Sequence, residues 1–138
     1  MSHTSQDFKK ILNNAKLKST EARIEILRAL TEASRPETAQ EIYKRIKNKI
    51  DIVTLYRALT SFEKNKLVKK VNLQKDAVYY ESNNDHHHHI VCSDCGIVED
   101  FENKEIEKAL GEIVRKSLKF KNIKEHSLEL FGFCKTCA

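Results

Sequence analysis

Two pairs of cysteines have the spacing of a metal site. Cys92-Ser93-Asp94-Cys95 and Cys134-Lys135-Thr136-Cys137 each set two thiols one tight turn apart, with 38 residues between the pairs. Four thiolates converging from two such turns suit tetrahedral zinc, with Zn–S bonds of about 2.3 Å. A site filled by four sulfurs keeps no open coordination position, so its expected role is structural. Gly96 follows the first pair and lets the backbone turn around the ion. In a reducing compartment such pairs serve as ligands rather than disulfides.

Just before the first pair stand four histidines, His86, His87, His88 and His89. They are internal and run straight into the cysteine motif, unlike an affinity tag. In an extended segment successive side chains face opposite ways. His87 and His89 would then share one face, and His86 and His88 the other, so that one strand feeds two metal sites. Candidate co-ligands are Glu81, Asp100, Glu107 and His126. Imidazole with carboxylate suits Fe(II), Mn(II), Zn(II) or Ni(II), and affinity alone does not choose among them. Taken singly, Glu81, Asp100 and Glu107 are more often solvated acids than ligands, and His126 beside a strand is more often a packed polar residue.

The elements that must position these groups are legible in the rest of the chain. With 138 residues there is room for one compact domain or two small ones, and small ones need a metal or a partner to complete their cores. Net charge is +5 but unevenly spread: residues 1–80 carry +8 and residues 81–138 carry −3. A basic half beside an acidic, His/Cys-rich half suggests polyanion binding in the first and cation binding in the second. No apolar run approaches the roughly 18 residues of a membrane span. Met1 to Lys10 is polar, without the apolar stretch of a signal peptide, so the expected location is the cytoplasm.

Helical spacing of Phe8, Ile11, Leu12 and Ala15 predicts a helix over 5–16. Thr20 is placed to cap a second helix with Ile26, Leu27 and Leu30 inward. Thr38 and Glu41 form a capping-box pattern that opens a third, with Ala39, Ile42, Tyr43 and Ile46 inward. Asp51 is placed to cap a fourth, carrying Leu55, Leu59 and Phe62, and Asn65 is the expected left-handed residue at its end. Strand-like runs at Leu67–Val71 and Ala77–Glu81 flank a polar turn and read as a hairpin. Helices followed by a basic hairpin are the order of a winged helix-turn-helix. After a polar linker at Asn83-Asn84-Asp85, strands are expected around Ile90–Cys92 and Ile97–Phe101. A helix over 103–117 follows, and a last strand runs from Leu128 to Phe133.

Ile52-Val53-Thr54-Leu55-Tyr56-Arg57-Ala58-Leu59 resembles the recognition-helix signature of the ferric uptake regulator family. The histidine run with its cysteine pair, and His126-Ser127-Leu128 followed by Cys134 and Cys137, resemble the same family, so the likeness spans roughly 17–137. It implies an α+β protein: a winged helix-turn-helix DNA-binding domain over 1–82, then a small α/β metal-binding dimerisation domain over 83–138 with a structural zinc site. It implies structural zinc at Cys92, Cys95, Cys134 and Cys137, and regulatory metal at Glu81, His87, His89 and Asp100. A second site at His86, His88, Glu107 and His126 is also implied, with His88 where many members have aspartate. Family members often place one more histidine before the third helix. Here Pro36 stands at that position, and Glu37 or a water is the expected substitute, failing which the regulatory site is four-coordinate.

The resemblance further implies a homodimer, with a tetramer as an alternative, that binds double-stranded A·T-rich pseudo-palindromic operators. On the fourth helix Thr54, Tyr56, Arg57, Thr60, Ser61 and Lys64 lie off the core stripe. Arg57 and Lys64 suit phosphate or guanine, and Tyr56 suits a thymine methyl or a phosphate. Lys18 matches a minor-groove lysine of the family, while Lys69, Lys70 and Lys75 are hairpin cations for phosphate. The expected regulatory metal is Fe(2+), with Mn(2+)/Zn(2+) sensing or peroxide sensing as alternatives. A small zinc-dependent hydrolase is the competing class; lacking H-E-x-x-H and a nucleophile elbow, the chain is expected not to be an enzyme.

Overall fold

A computed structural model of the chain describes residues 4–83 and 86–138. Asn84 and Asp85, the last two residues of the expected linker, lie outside the described residues. The chain divides into two compact units, Met1–Asn84 and Asp85–Ala138.

The first unit is built from capped helices. α1 (Ser5–Asn14) begins at Thr4, which forms a capping box with Asp7, and α2 (Glu21–Glu32) begins at Thr20, whose side chain accepts from Arg23 N–H. β1 (Glu37–Thr38) is a two-residue strand leading into α3 (Ala39–Ile46). Thr38 Oγ1 accepts from Glu41 N–H at 3.1 Å and Glu41 Oε1 accepts from Thr38 N–H at 3.1 Å, so two otherwise unpaired donors are satisfied. α4 (Ile52–Lys64) is capped by Asp51, whose Oδ1 accepts from Thr54 N–H at 2.8 Å. Leu55, Ala58, Leu59 and Phe62 of α4 pack with Phe8, Leu12, Ile26 and Ile42 in one buried cluster.

Two expectations need correction here. The left-handed residue after α4 is Lys66 (φ 61°), while Asn65 keeps φ −97°. Leu67 N–H donates to Phe62 O and Lys66 N–H to Glu63 O, the bond pair of a Schellman ending, which requires the positive φ one position later. α1 ends the same way at Lys16 (φ 62°). The hairpin is narrower than expected, with β2 (Val68–Val71) antiparallel to β3 (Tyr79–Ser82). β1 adds antiparallel to β3, giving a sheet of order β1-β3-β2. Helices packed on this small sheet make a winged helix-turn-helix.

In the second unit β4 (His88–Cys92) is the centre of a sheet of order β5-β4-β6. β5 (Val98–Phe101) runs antiparallel to β4, and β6 (Glu129–Gly132) parallel to it. Between β5 and β6 lies α5 (Lys104–Arg115), opened by Asn103, whose Oδ1 accepts from Ile106 N–H. The core is thin: among the described residues of this unit only Val91 and Cys92 are buried apolar side chains. No residue of α5 is buried, and Ile113, Leu118, Phe120 and Phe133 are 66–102% exposed. Among the described residues no helix is long and apolar enough to cross a membrane.

Candidate metal centres and nucleic-acid face

The cysteine turns come together. Gly96 (φ 80°) turns the chain after Cys95, and Cys92 closes the loop by donating its N–H to Ile97 O at 2.9 Å. Parallel pairing of Cys92 with Gly132 carries β6 past the loop, so that Cys134 arrives beside it. The four Sγ atoms lie within 4.8 Å of one another, and Cys95 Sγ and Cys134 Sγ are 3.8 Å apart. A tetrahedron of about 2.3 Å zinc–sulfur bonds has edges of about 3.8 Å, so the sulfurs fit zinc. Backbone N–H donors from Cys134, then Cys95, lower the Cys92 thiol to about 6. Hydrogen bonding to Cys134, then burial, raises Cys137 to about 12.

Strand alternation separates the histidines into two sets. His86, His88, Glu107 and His126 bring one ligand atom each within 4.8 Å. Glu107 is the hub: its Oε1 lies 3.0 Å from His86 Nε2 and 2.5 Å from His88 Nε2, and its Oε2 lies 2.7 Å from His126 Nε2. Its carboxyl is lowered to about 2, chiefly by the His88 hydrogen bond, against burial and with help from His86 and His126. Three Nε2 atoms aimed at one carboxylate make a nitrogen/oxygen donor set of the kind that first-row divalent ions take.

On the other face His87 Nε2 and His89 Nε2 are 3.1 Å apart. Asp100 reaches toward both, with Oδ2 at 4.0 Å from His87 Nε2 and Oδ1 at 3.7 Å from His89 Nε2. His89 is the Cα partner of Asp100 on β5 and of Glu129 on β6, so an acid flanks it on either side. Glu129 Oε1 is 3.8 Å from His89 Nδ1. The sequence reading missed Glu129, because parallel pairing of β6 with β4 leaves no local signature. Glu129 thus lies on the Nδ1 side of His89, opposite the Nε2 that lies beside His87 and Asp100.

Glu81 lies on β3 of the first unit, where Lys69 Nζ is 3.2 Å from its Oε1. Near the N-terminus of α3, Pro36 is fully buried. Glu37, the suggested replacement for the absent histidine, is engaged within the first unit. Arg45 donates to it through Nε at 3.2 Å and through Nη2, and the same Nη2 donates to Ala29 O.

On α4 the core stripe leaves Val53, Tyr56, Arg57, Thr60 and Lys64 exposed, with Thr54 and Ser61 half-buried. Tyr56 Oη accepts from Gln40 Nε2 at 2.8 Å, joining α3 to α4. Lys18 is exposed before α2, and Lys75 is exposed in the turn of the wing. Lys69 and Lys70 are not bare cations, since Lys70 Nζ is 3.3 Å from Glu63 Oε2 and Lys69 faces Glu81.

A winged helix-turn-helix unit and a second unit with matched sulfur and nitrogen/oxygen donor clusters define a metal-binding winged-helix protein. Residues 14–131 match the Ferric uptake regulator family, and the chain belongs to it. Members of that family are transcription regulators, not enzymes. A ferric uptake regulation protein of Yersinia pestis is 37% identical over 136 residues, spanning 94% of this chain and 90% of that one. One from Cupriavidus metallidurans is 36% identical over 128 residues, spanning 89% and 88%. Among solved structures, a Pseudomonas aeruginosa ferric uptake regulator with manganese is 32% identical, with a TM-score of 0.81 over 93% of this chain and 98% of that one. A Helicobacter pylori ferric uptake regulator, described as having three functional metal binding sites, is 26% identical with a TM-score of 0.80 over 99% and 97%.

Proposed function

We propose that the protein is a metal-dependent transcriptional repressor that binds double-stranded operator DNA as a homodimer, with Fe(2+) as its regulatory ion. The observation that carries this reading is the pairing of an exposed basic α4 face with two sets of histidine and carboxylate donors, to which the adjacent β4 residues His88 and His89 each contribute one. Zinc held by Cys92, Cys95, Cys134 and Cys137 stiffens a unit whose apolar core is too thin to suffice alone. Its uncovered apolar side chains, Ile113, Phe120 and Phe133 among them, support burial against a second copy.

In the regulatory set, Glu81 comes from the first unit, and His87, His89 and Asp100 from the second. An ion bound to both fixes the orientation of the reading unit, and it shifts that equilibrium only by its preference for the DNA-competent arrangement. His86, His88, Glu107 and His126 hold a second ion. Thr54, Tyr56, Arg57, Thr60, Ser61 and Lys64 of α4 meet the major groove. Lys18 reaches the minor groove, and Lys69, Lys70 and Lys75 lie toward phosphate.

The test is anaerobic. Metals per subunit are counted, and an A·T-rich pseudo-palindromic duplex is titrated by anisotropy with Fe(II), Mn(II), Zn(II) or chelator. One retained zinc, with DNA affinity that appears only on adding a second metal, is the expected result. DNA affinity indifferent to every added metal would defeat the metal-dependent part of the reading. If Fe(II) is no better than the others, iron falls as the effector.

A further inference from the structure

Glu81 already faces a cation of its own unit. Lys69 is its Cα partner across the β2–β3 ladder, so both side chains leave the same face of the hairpin. The 3.2 Å pair is partly shielded, the carboxylate side chain being 10% exposed and the lysine 32%. The neighbouring Lys70, on the other face, pairs with Glu63 in a more open setting, 54% and 40% exposed. Screening by salt therefore weakens the Lys69–Glu81 pair less than the Lys70–Glu63 pair.

We propose that Lys69 sets the metal threshold of the regulatory site by competing with the divalent ion for the Glu81 carboxylate. The inference rests on the reading of Glu81 as a regulatory ligand. An incoming ion has two routes. It takes Oε1 and breaks the lysine pair, or it binds the other oxygen and sits a few ångströms from an ammonium of like charge. Both oppose binding, and at that range the repulsion persists even in a high effective dielectric. A neutral side chain at position 69 removes both penalties and leaves the carboxylate more strongly attracted to an ion. Lys69 thus raises the free metal concentration at which the site fills.

The test measures affinity directly. Full-length zinc-loaded protein, carrying His126→Ala to weaken the second cluster, is titrated with Mn(II) against a fluorescent chelator. Lys69→Met is expected to tighten Mn(II) binding about tenfold, narrowing as salt is raised. Lys69→Arg keeps the charge and is expected to bind within about twofold of the parent. A merely structural role for Lys69 would weaken binding in Lys69→Met, not tighten it. Unchanged or weaker binding in Lys69→Met, with circular dichroism and dimer mass preserved, overturns the inference. Glu81→Ala separates the two levels. If it loses the site while Lys69→Met is unchanged, only the Lys69 inference falls. If it binds Mn(II) as the parent does, Glu81 is not a ligand and the regulatory reading falls with it.

Discussion

The N–H of Cys134 donates to Cys92 Sγ at 3.4 Å, so the C-terminal cysteine turn is tied to the end of β4 by a backbone donor as well as by sulfur. This bond delivers Cys134 and Cys137 to the first pair in a defined orientation. It also holds charge on Cys92, the most buried of the four. Removing one sulfur should therefore disturb the fold of the whole second unit. Cys92→Ser is expected to lose zinc on purification and to lower the melting temperature and the dimer fraction, because structural zinc supplies folding free energy. Normal melting, zinc content and dimer mass in Cys92→Ser would refute the structural assignment.

Glu107 holds three imidazoles with one carboxylate. Replacement by Gln keeps the shape and removes the charge. Glu107→Gln is expected to lose one bound metal per subunit while the cysteine zinc stays. Metal counts by plasma emission, before and after mild chelation, provide the check. Equal stoichiometry in the variant would show that the cluster is a hydrogen-bond network only.

Arg57 is exposed on α4 away from the core stripe. If it contacts a base edge, Arg57→Ala is expected to cost about 1–3 kcal/mol in operator affinity and to relax preference at one base position. If it meets phosphate, the loss is uniform across sequences and the salt dependence falls by about one unit. Anisotropy titrations on operator and scrambled duplexes over a range of salt distinguish the two. Unaltered affinity for both duplexes would remove Arg57 from the interface.

The caps of α3 and α4 predict distinct responses. Thr38→Ala removes the Oγ1 half of the capping box, leaving the Glu41 carboxylate on the backbone N–H of residue 38, and is expected to cost about 1 kcal/mol of first-unit stability in urea unfolding. Asp51 has its carboxyl held below the usual range, first by the Thr54 backbone N–H and then by the Thr54 side chain. The sign follows from linkage. A lowered folded value means stability that is present above the unfolded pKa and lost as pH falls through the folded one. Asp51→Asn keeps an oxygen acceptor but cannot titrate. Wild type should therefore lose its margin over Asp51→Asn as pH falls below the ordinary aspartate pKa of about 3.9. A margin independent of pH would mean that the Asp51 charge plays no part in the cap.

Local chemistry made much of this molecule legible from sequence. Thr20, Thr38 and Asp51 announced their helices because a cap is a short-range bond between a side chain and an N–H three residues on. The end of α4 was misplaced by one residue, since Lys66 adopts a positive φ that its residue type disfavours and the Schellman bonds impose. Two-residue β1 was invisible, because a strand so short is made by its partner β3 rather than by its own pattern.

For the sites, residue type and spacing pointed to the cysteine quartet and to the division of the histidines, because a C-x2-C turn and a two-residue alternation are properties of the local backbone. Tertiary structure alone decided the rest. The parallel pairing of β6 with β4 set Glu129 beside His89 and brought Cys134 to Cys92. The packing of α3 gave Glu37 to Arg45, and the register of the wing gave Glu81 to Lys69. A charged side chain declares only that it needs a partner; which partner it meets is fixed by strand register and helix packing between residues far apart in the chain.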